Sequence, residues 1–144
     1  MIYTCGVDPG DTSGVCLLST ENKKTSIEEV YQTKDVFSEQ FKNTLKKANF
    51  IVVENFFVRP KKAKQGAFDW NPMNTIKIIG QIEALAHGLG KKVILQQPAQ
   101  KVVGYGLAGM KYVPGKKNMH QYDAVAHAMF YIVKNNLSLP GVQT

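Results

Sequence analysis

Residues 50–54, Phe-Ile-Val-Val-Glu, constrain the fold more than any other segment. An apolar run without alternation is typical of a strand covered on both faces. The flanking sequence offers the cover. Before the run, Phe37, Phe41, Leu45 and Ala48 recur at helical spacing, with Ser38 placed to cap the helix. After it, residues 73–89 form a helix with Ile76, Ile79, Ile82, Leu85 and Leu89 on one face and Gly90 as its stop.

Three strand-like segments come first. Residues 2–8 and 14–19 flank a turn at Pro9-Gly10-Asp11-Thr12-Ser13, and a second turn at residues 21–24 leads into β-branched and aromatic sequence over 25–33. Residues 57–72 read as a basic loop with Pro60, Gly66 and Pro72. Lys92 to Gln96 is a short strand, and Pro98 is suited to the first position of a short helix. Residues 104–118, with four glycines and Pro114, read as a mobile Gly/Lys-rich loop. Residues 119–135 form a last helix, and Asn136 to Thr144 a loose tail. The order βββ-α-β-α-β-α-α predicts an α/β protein. Its mixed five-stranded sheet, three antiparallel strands and then β-α-β, is flanked by helices in a single domain over 1–144.

No stretch of 18 apolar residues spans a membrane, and the first residues lack the pattern of a signal peptide. Cys5 and Cys16 form no C-x-x-C pair, so neither a zinc ribbon nor a disulfide scaffold is expected, and a reducing cytoplasmic compartment fits. The charge is unevenly spread. The formal net charge is +7, yet residues 1–58 hold six basic and eight acidic residues, whereas 59–117 hold eleven basic and two acidic. A basic middle beside an acid-bearing first part points either to a polyanion partner with chemistry next to it or to a lysine-rich surface.

Four residues draw the chemistry together. Asp8 ends the first strand before a Pro-Gly turn, where Asp also caps turns. Glu54 ends the buried strand, where an acid must be paired, protonated or metal-bound. His120 and Asp123, three apart, share one face at the start of the last helix. Asp123 could equally offset the helix dipole. His127, one turn further on, reads as a satisfied core or helix-surface histidine. Carboxylates from two neighbouring parallel strands, with an acid and an imidazole from one helix face, can hold two divalent cations. Such oxygen-rich sites favour Mg²⁺ or Mn²⁺ over Zn²⁺. A metal pair suits phosphoryl displacement.

These residues lie in motifs that resemble those of a known family. Gly6-Val7-Asp8-Pro9-Gly10, with Thr12 and Gly14, resembles the first motif of RuvC-type Holliday junction resolvases of the ribonuclease H-like superfamily. Val52-Val53-Glu54-Asn55-Phe56-Phe57 is similar to the second. Gln97-Pro98 and Lys101-Val102-Val103-Gly104 resemble the basic stretch, and His120-Gln121-Tyr122-Asp123-Ala124 with Ala126 resembles the last. The resemblance covers nearly the whole chain.

It implies a homodimeric, Mg²⁺-dependent endonuclease with two ions per site, Mn²⁺ substituting. The enzyme would resolve four-way junctions, and possible forks and flaps, by paired nicks that leave 5′-phosphate and 3′-hydroxyl ends. Asp8, Glu54, His120 and Asp123 would be the catalytic and metal-site residues, with His120 a ligand or a general base. Phe57 would stack on an unpaired base, an interaction worth about 1–3 kcal/mol. Lys101, Lys111, Lys116 and Lys117 would contact DNA, joined by Arg59, Lys61, Lys62 and Lys64 of the basic loop, where Phe68 and Trp70 either stack on bases or anchor the loop on the core. The short chain and this loop look more like the compact phage-encoded branch, which would act in host cytoplasm on replication DNA. Other classes stay open: a nuclease of the same fold cutting other DNA or RNA, or a silent nucleic-acid-binding module. A sugar-kinase or actin-type ATPase also begins with strand-Asp-x-Gly-x-Thr, but needs a second lobe that 144 residues do not hold.

Overall fold

The computed structural model describes residues 1–56, 70–112 and 119–143. Strands β1 (Ile2–Asp8), β2 (Ser13–Glu21) and β3 (Lys24–Thr33) form an antiparallel meander. Its second turn is made by Asn22 and Lys23, both at positive φ, the conformation of the tight hairpin turns that match strand twist. Helix α1 (Glu39–Lys47) follows, with the Ser38 hydroxyl accepting from the Phe41 N–H as expected. Strand β4 (Phe50–Glu54) pairs parallel to β1, and β5 (Val93–Gln96) parallel to β4.

Helix α2 (Trp70–Gly88) starts three residues earlier than its apolar pattern indicated. Pro72 does not prevent this, because the first-turn N–H groups of a helix have no intrahelical acceptor to lose. Its buried stripe is Ile79, Ile82 and Ala86; Ile76, expected inside, is exposed. Helix α3 (Pro98–Ala108) runs through Gly104 and Gly106, where a loop was expected, and ends only at Gly109, φ 77°. Gly104 serves packing rather than turning: a Cβ there would lie 1.9 Å from the Ala126 carbonyl oxygen of helix α4 (His120–Lys134).

The expected loose tail contains a sixth strand, β6 (Val142–Gln143), parallel to β3. β3 would otherwise be an edge with unpaired backbone groups. The sheet order is β5-β4-β1-β2-β3-β6, six strands rather than five. Two cores lie on its two faces. Cys5, Val7, Val15, Leu17, Ile51 and Val53 pack against Phe41 and Leu45 of α1 and Ile79, Ile82 and Ala86 of α2. Cys16 and Leu18 pack against α4 and Ala108 of α3. Both cysteines are buried and free. Among the described residues no helix is long and apolar enough to cross a membrane.

Candidate active site

Three parallel strands end together in polar residues. Val7 pairs with Val53 and Glu54 with Gln96, so Asp8, Glu54 and Gln96 stand side by side where β1, β4 and β5 finish. Ligands of open α/β sheets bind outside the carboxyl ends of such strands. Glycines bring α4 onto this edge. A Cβ at Gly14 would lie 2.0 Å from the His120 carbonyl, and one at Gly6 would lie 2.2 Å from the Ala124 oxygen. The start of α4 therefore rests on bare backbone, and no side chain at positions 6 or 14 holds it off the acids.

His120 Nδ1 lies 2.8 Å from Asp8 Oδ2. One ligand atom each from Asp8, His120 and Asp123 lies within 4.8 Å of the others. The Asp8 and Glu54 carboxyl groups lie near enough to act on each other's protonation. Lys101 of α3 places its ammonium 3.4 Å from Glu54 Oε1 and 3.7 Å from Asp123 Oδ2. One turn on, the Tyr105 hydroxyl donates to Asp123 Oδ1 at 2.5 Å. Asp8, Glu54 and Asp123 are all largely buried. A cleft of about 110 Å³ opens beside them, lined by Asp8, Pro9, Glu54, Asn55, Phe56 and Thr75.

Crowding shifts Asp8 and Glu54 in opposite directions. Burial pushes the Asp8 carboxyl up to about 7; the His120 hydrogen bond opposes this, while the neighbouring Glu54 and Asp123 charges add to it. Burial also acts to raise Glu54, but His127, Asp8 and Lys101 outweigh it and hold this carboxyl down at about 2. Asp8 is thus the acid of the pair that keeps its proton. For Lys101, burial favours the neutral amine, and Glu54 and Asp123 overcome it, keeping the charge. Burial and the bond to Asp123 keep the Tyr105 phenol protonated well above its usual range.

The structure brings Asp8, Glu54, His120 and Asp123 together. Lys101, expected to contact DNA, lies beside Glu54 and Asp123. Lys111 is exposed on the surface. Phe57, Arg59, Lys61, Lys62, Lys64, Phe68, Lys116 and Lys117 lie outside the described residues. Two functional neighbours were not legible as such. Tyr105 lies four residues after Lys101 on one helix face, a spacing that could have flagged it. Gln96 is marked only by ending a short strand, in register with Glu54.

The donor set suits a hard divalent cation: two carboxylates and an imidazole converge, Glu54 stands beside them, and Glu54 and Asp123 already draw in an ammonium ion. Comparisons with known proteins bear on the fold. No protein-family model matches the chain, and no curated protein does. Solved structures do match. The structure of T. thermophilus RuvC in complex with Holliday junction substrate aligns with TM-score 0.63 at 17% identity, covering 96% of this chain and 99% of that one. This chain shares the RuvC fold. A second Thermus thermophilus RuvC structure aligns with TM-score 0.57 at 18% identity over the same shares. The yeast mitochondrial Holliday junction resolvase Ydc2 aligns with TM-score 0.53 at 15% identity, over 92% of this chain and 80% of that one. The ribonuclease H-like α/β architecture expected from the sequence is therefore the one adopted, with one additional strand.

Proposed function

We propose that this chain is a divalent-metal-dependent endonuclease that resolves four-way and other branched DNA by paired nicking, acting in the cytoplasm as a homodimer of one ribonuclease H-like domain. The observation that carries the reading is the convergence of Asp8, His120 and Asp123, with Glu54 beside them, at one end of a RuvC-fold sheet. One structural neighbour is a RuvC bound to a Holliday junction. The outward face of α2 presents Met73 and Ile76 to solvent, and paired apolar contacts there would suit a second copy.

Asp8, His120 and Asp123 would hold one cation, and Asp8 with Glu54 a second. Mg²⁺, or Mn²⁺ in its place, would supply charge that draws a phosphate to the acids and stabilises the attacking and leaving oxygens. The chain's own residues prepare for this. Asp8 must release its proton, and His120 Nδ1 lies at Asp8 Oδ2 to stabilise the carboxylate so formed. Tyr105 holds Asp123 Oδ1 and leaves Oδ2 toward Lys101. Lys101 lies close enough to exchange its acid partners for a phosphate oxygen, and the basic residues of 59–64 and 111–117 would grip the arms, so binding should weaken steeply with salt.

The test offers labelled four-way junction, fork, flap, duplex, single strand and RNA to the protein in Mg²⁺ and in EDTA. Paired nicks at the junction in Mg²⁺ only, lost in Asp8→Asn while junction binding persists, are expected. Preferred cleavage of RNA or single strands would assign another substrate. Binding without cleavage in either Mg²⁺ or Mn²⁺ would make the chain a silent module and overturn the reading. Light scattering with and without junction reads the dimer.

A further inference from the structure

His127 is fully buried, within a helix segment whose neighbours Ala124, Val125, Ala126, Ala128 and Met129 are fully buried too. An imidazole in such a setting needs partners for both ring nitrogens. Both partners come from the strand ends that form the acid edge. Nδ1 lies 2.9 Å from Gln96 Oε1 at the end of β5. Nε2 lies 3.3 Å from Glu54 Oε2 at the end of β4, though not aligned as a hydrogen bond. Gln96 and Glu54 are themselves register partners. A polar chain thus runs from β5 through α4 to β4 beneath the candidate site.

Its effect is to give Glu54 two different oxygens. Oε2 is turned inward, buried against the imidazole, while Oε1 faces Lys101. Rotating the carboxylate, or taking a bidentate pose, would pull Oε2 away from its buried place against the imidazole. Asp123 and His127 are four residues apart on α4, so one helix carries an acid of the site and the support for another. Groups behind a metal-binding carboxylate or imidazole orient it, and losing one typically costs about 10–100-fold in metal affinity.

We infer that His127, oriented by Gln96, is a positioning residue that holds Glu54 so that it offers a single oxygen, Oε1, to a divalent cation. This deepens the reading of Glu54 as a metal ligand and rests on it. His127 does not reach the cleft and acts only through Glu54.

The test is Mn²⁺ binding by the full chain without DNA, followed by calorimetry or by the Mn²⁺ electron paramagnetic resonance signal. His127→Leu and Gln96→Leu should each weaken it, His127→Leu by about tenfold or more, and His127→Gln, which restores a polar group, should recover most of the loss. In a Glu54→Gln background, His127→Leu should change Mn²⁺ affinity no further, whereas a merely structural role would lower it again. Junction binding in EDTA should not change in His127→Leu or Gln96→Leu. A loss under threefold in His127→Leu, or in Gln96→Leu if the former does not fold, overturns the inference, and so does a wild-type chain that binds no Mn²⁺. A wild-type chain that binds Mn²⁺ but cuts no branched DNA would instead sink the nuclease reading and leave this inference to be decided by the binding series.

Discussion

Asp8 makes the stability of the metal-free protein fall as pH rises through neutrality. Its carboxyl titrates at 3.8 ordinarily and is pushed up to about 7 by burial among other acids. Below the lower value the carboxyl is protonated whether the chain is folded or not. Between the two values the folded chain keeps a proton that the unfolded chain has released, so raising the pH favours unfolding. Above the upper value the difference is constant. Roughly three pH units at about 1.4 kcal/mol each set a ceiling of about 4 kcal/mol. His120 and Glu54 already act within that shift, so the figure is an upper bound. Asp8→Asn keeps a neutral group of nearly the same shape. Urea unfolding of both proteins in EDTA, from pH 4.5 to 8.5, should show the variant gaining on the wild type by up to about 3 kcal/mol, most of it below about pH 7. Added Mg²⁺ should reverse the order at high pH by stabilising only the wild type. A stability difference that stays flat within about 0.5 kcal/mol in EDTA would refute the argument that burial and crowding govern this carboxyl.

Gly14→Ala puts a methyl group 2.0 Å from the His120 backbone, so about 1–3 kcal/mol of stability and most metal-dependent cleavage should be lost; a variant that melts and cuts like the wild type would show that α4 is free to shift. Tyr105→Phe leaves a buried Asp123 oxygen without its donor while keeping the ring against Tyr112, and equilibrium unfolding should register about 1.5–3 kcal/mol. Lys101→Met removes the ammonium between Glu54 and Asp123. It should lower the melting temperature in EDTA, and Mg²⁺ should restore it. An equal deficit in both buffers would mean that the lysine does more than offset acid charge. A weaker junction affinity in the same variant, with a shallower salt slope, would add the phosphate contact expected from the sequence.

Much of this architecture is local chemistry, and local chemistry is written in order. The unbroken apolar run at residues 51–53 specifies a strand buried on both faces because no polar residue interrupts it. Ser38 and Pro98 mark helix starts because a hydroxyl cap and a ring without an N–H suit those positions alone. The acids at strand ends and the His120–Asp123 spacing made the candidate site legible too, since side chains three apart on a helix must share a face.

Other features depend on what approaches from elsewhere in the chain. Gly104 looks like a loop residue until Ala126 packs against it, because its role is the absence of a side chain where another backbone passes. Val142 and Gln143 carry no strong strand signal of their own and become a strand by supplying partners to the open edge of β3. Lys101, Tyr105, Gln96 and His127 are a lysine, a tyrosine, a glutamine and a histidine in apolar helices or at a strand end. Lys101, Tyr105 and His127 take their meaning from reaching Asp123 or Glu54, and Gln96 from reaching His127, partners 18 to 73 positions away in the chain. Sequence by itself determined which groups could do chemistry and which elements carry them. Tertiary structure alone decided which acid keeps the proton, which Glu54 oxygen is buried and which cation stands beside the other, because burial and mutual distance set those energies and neither exists until the chain has folded.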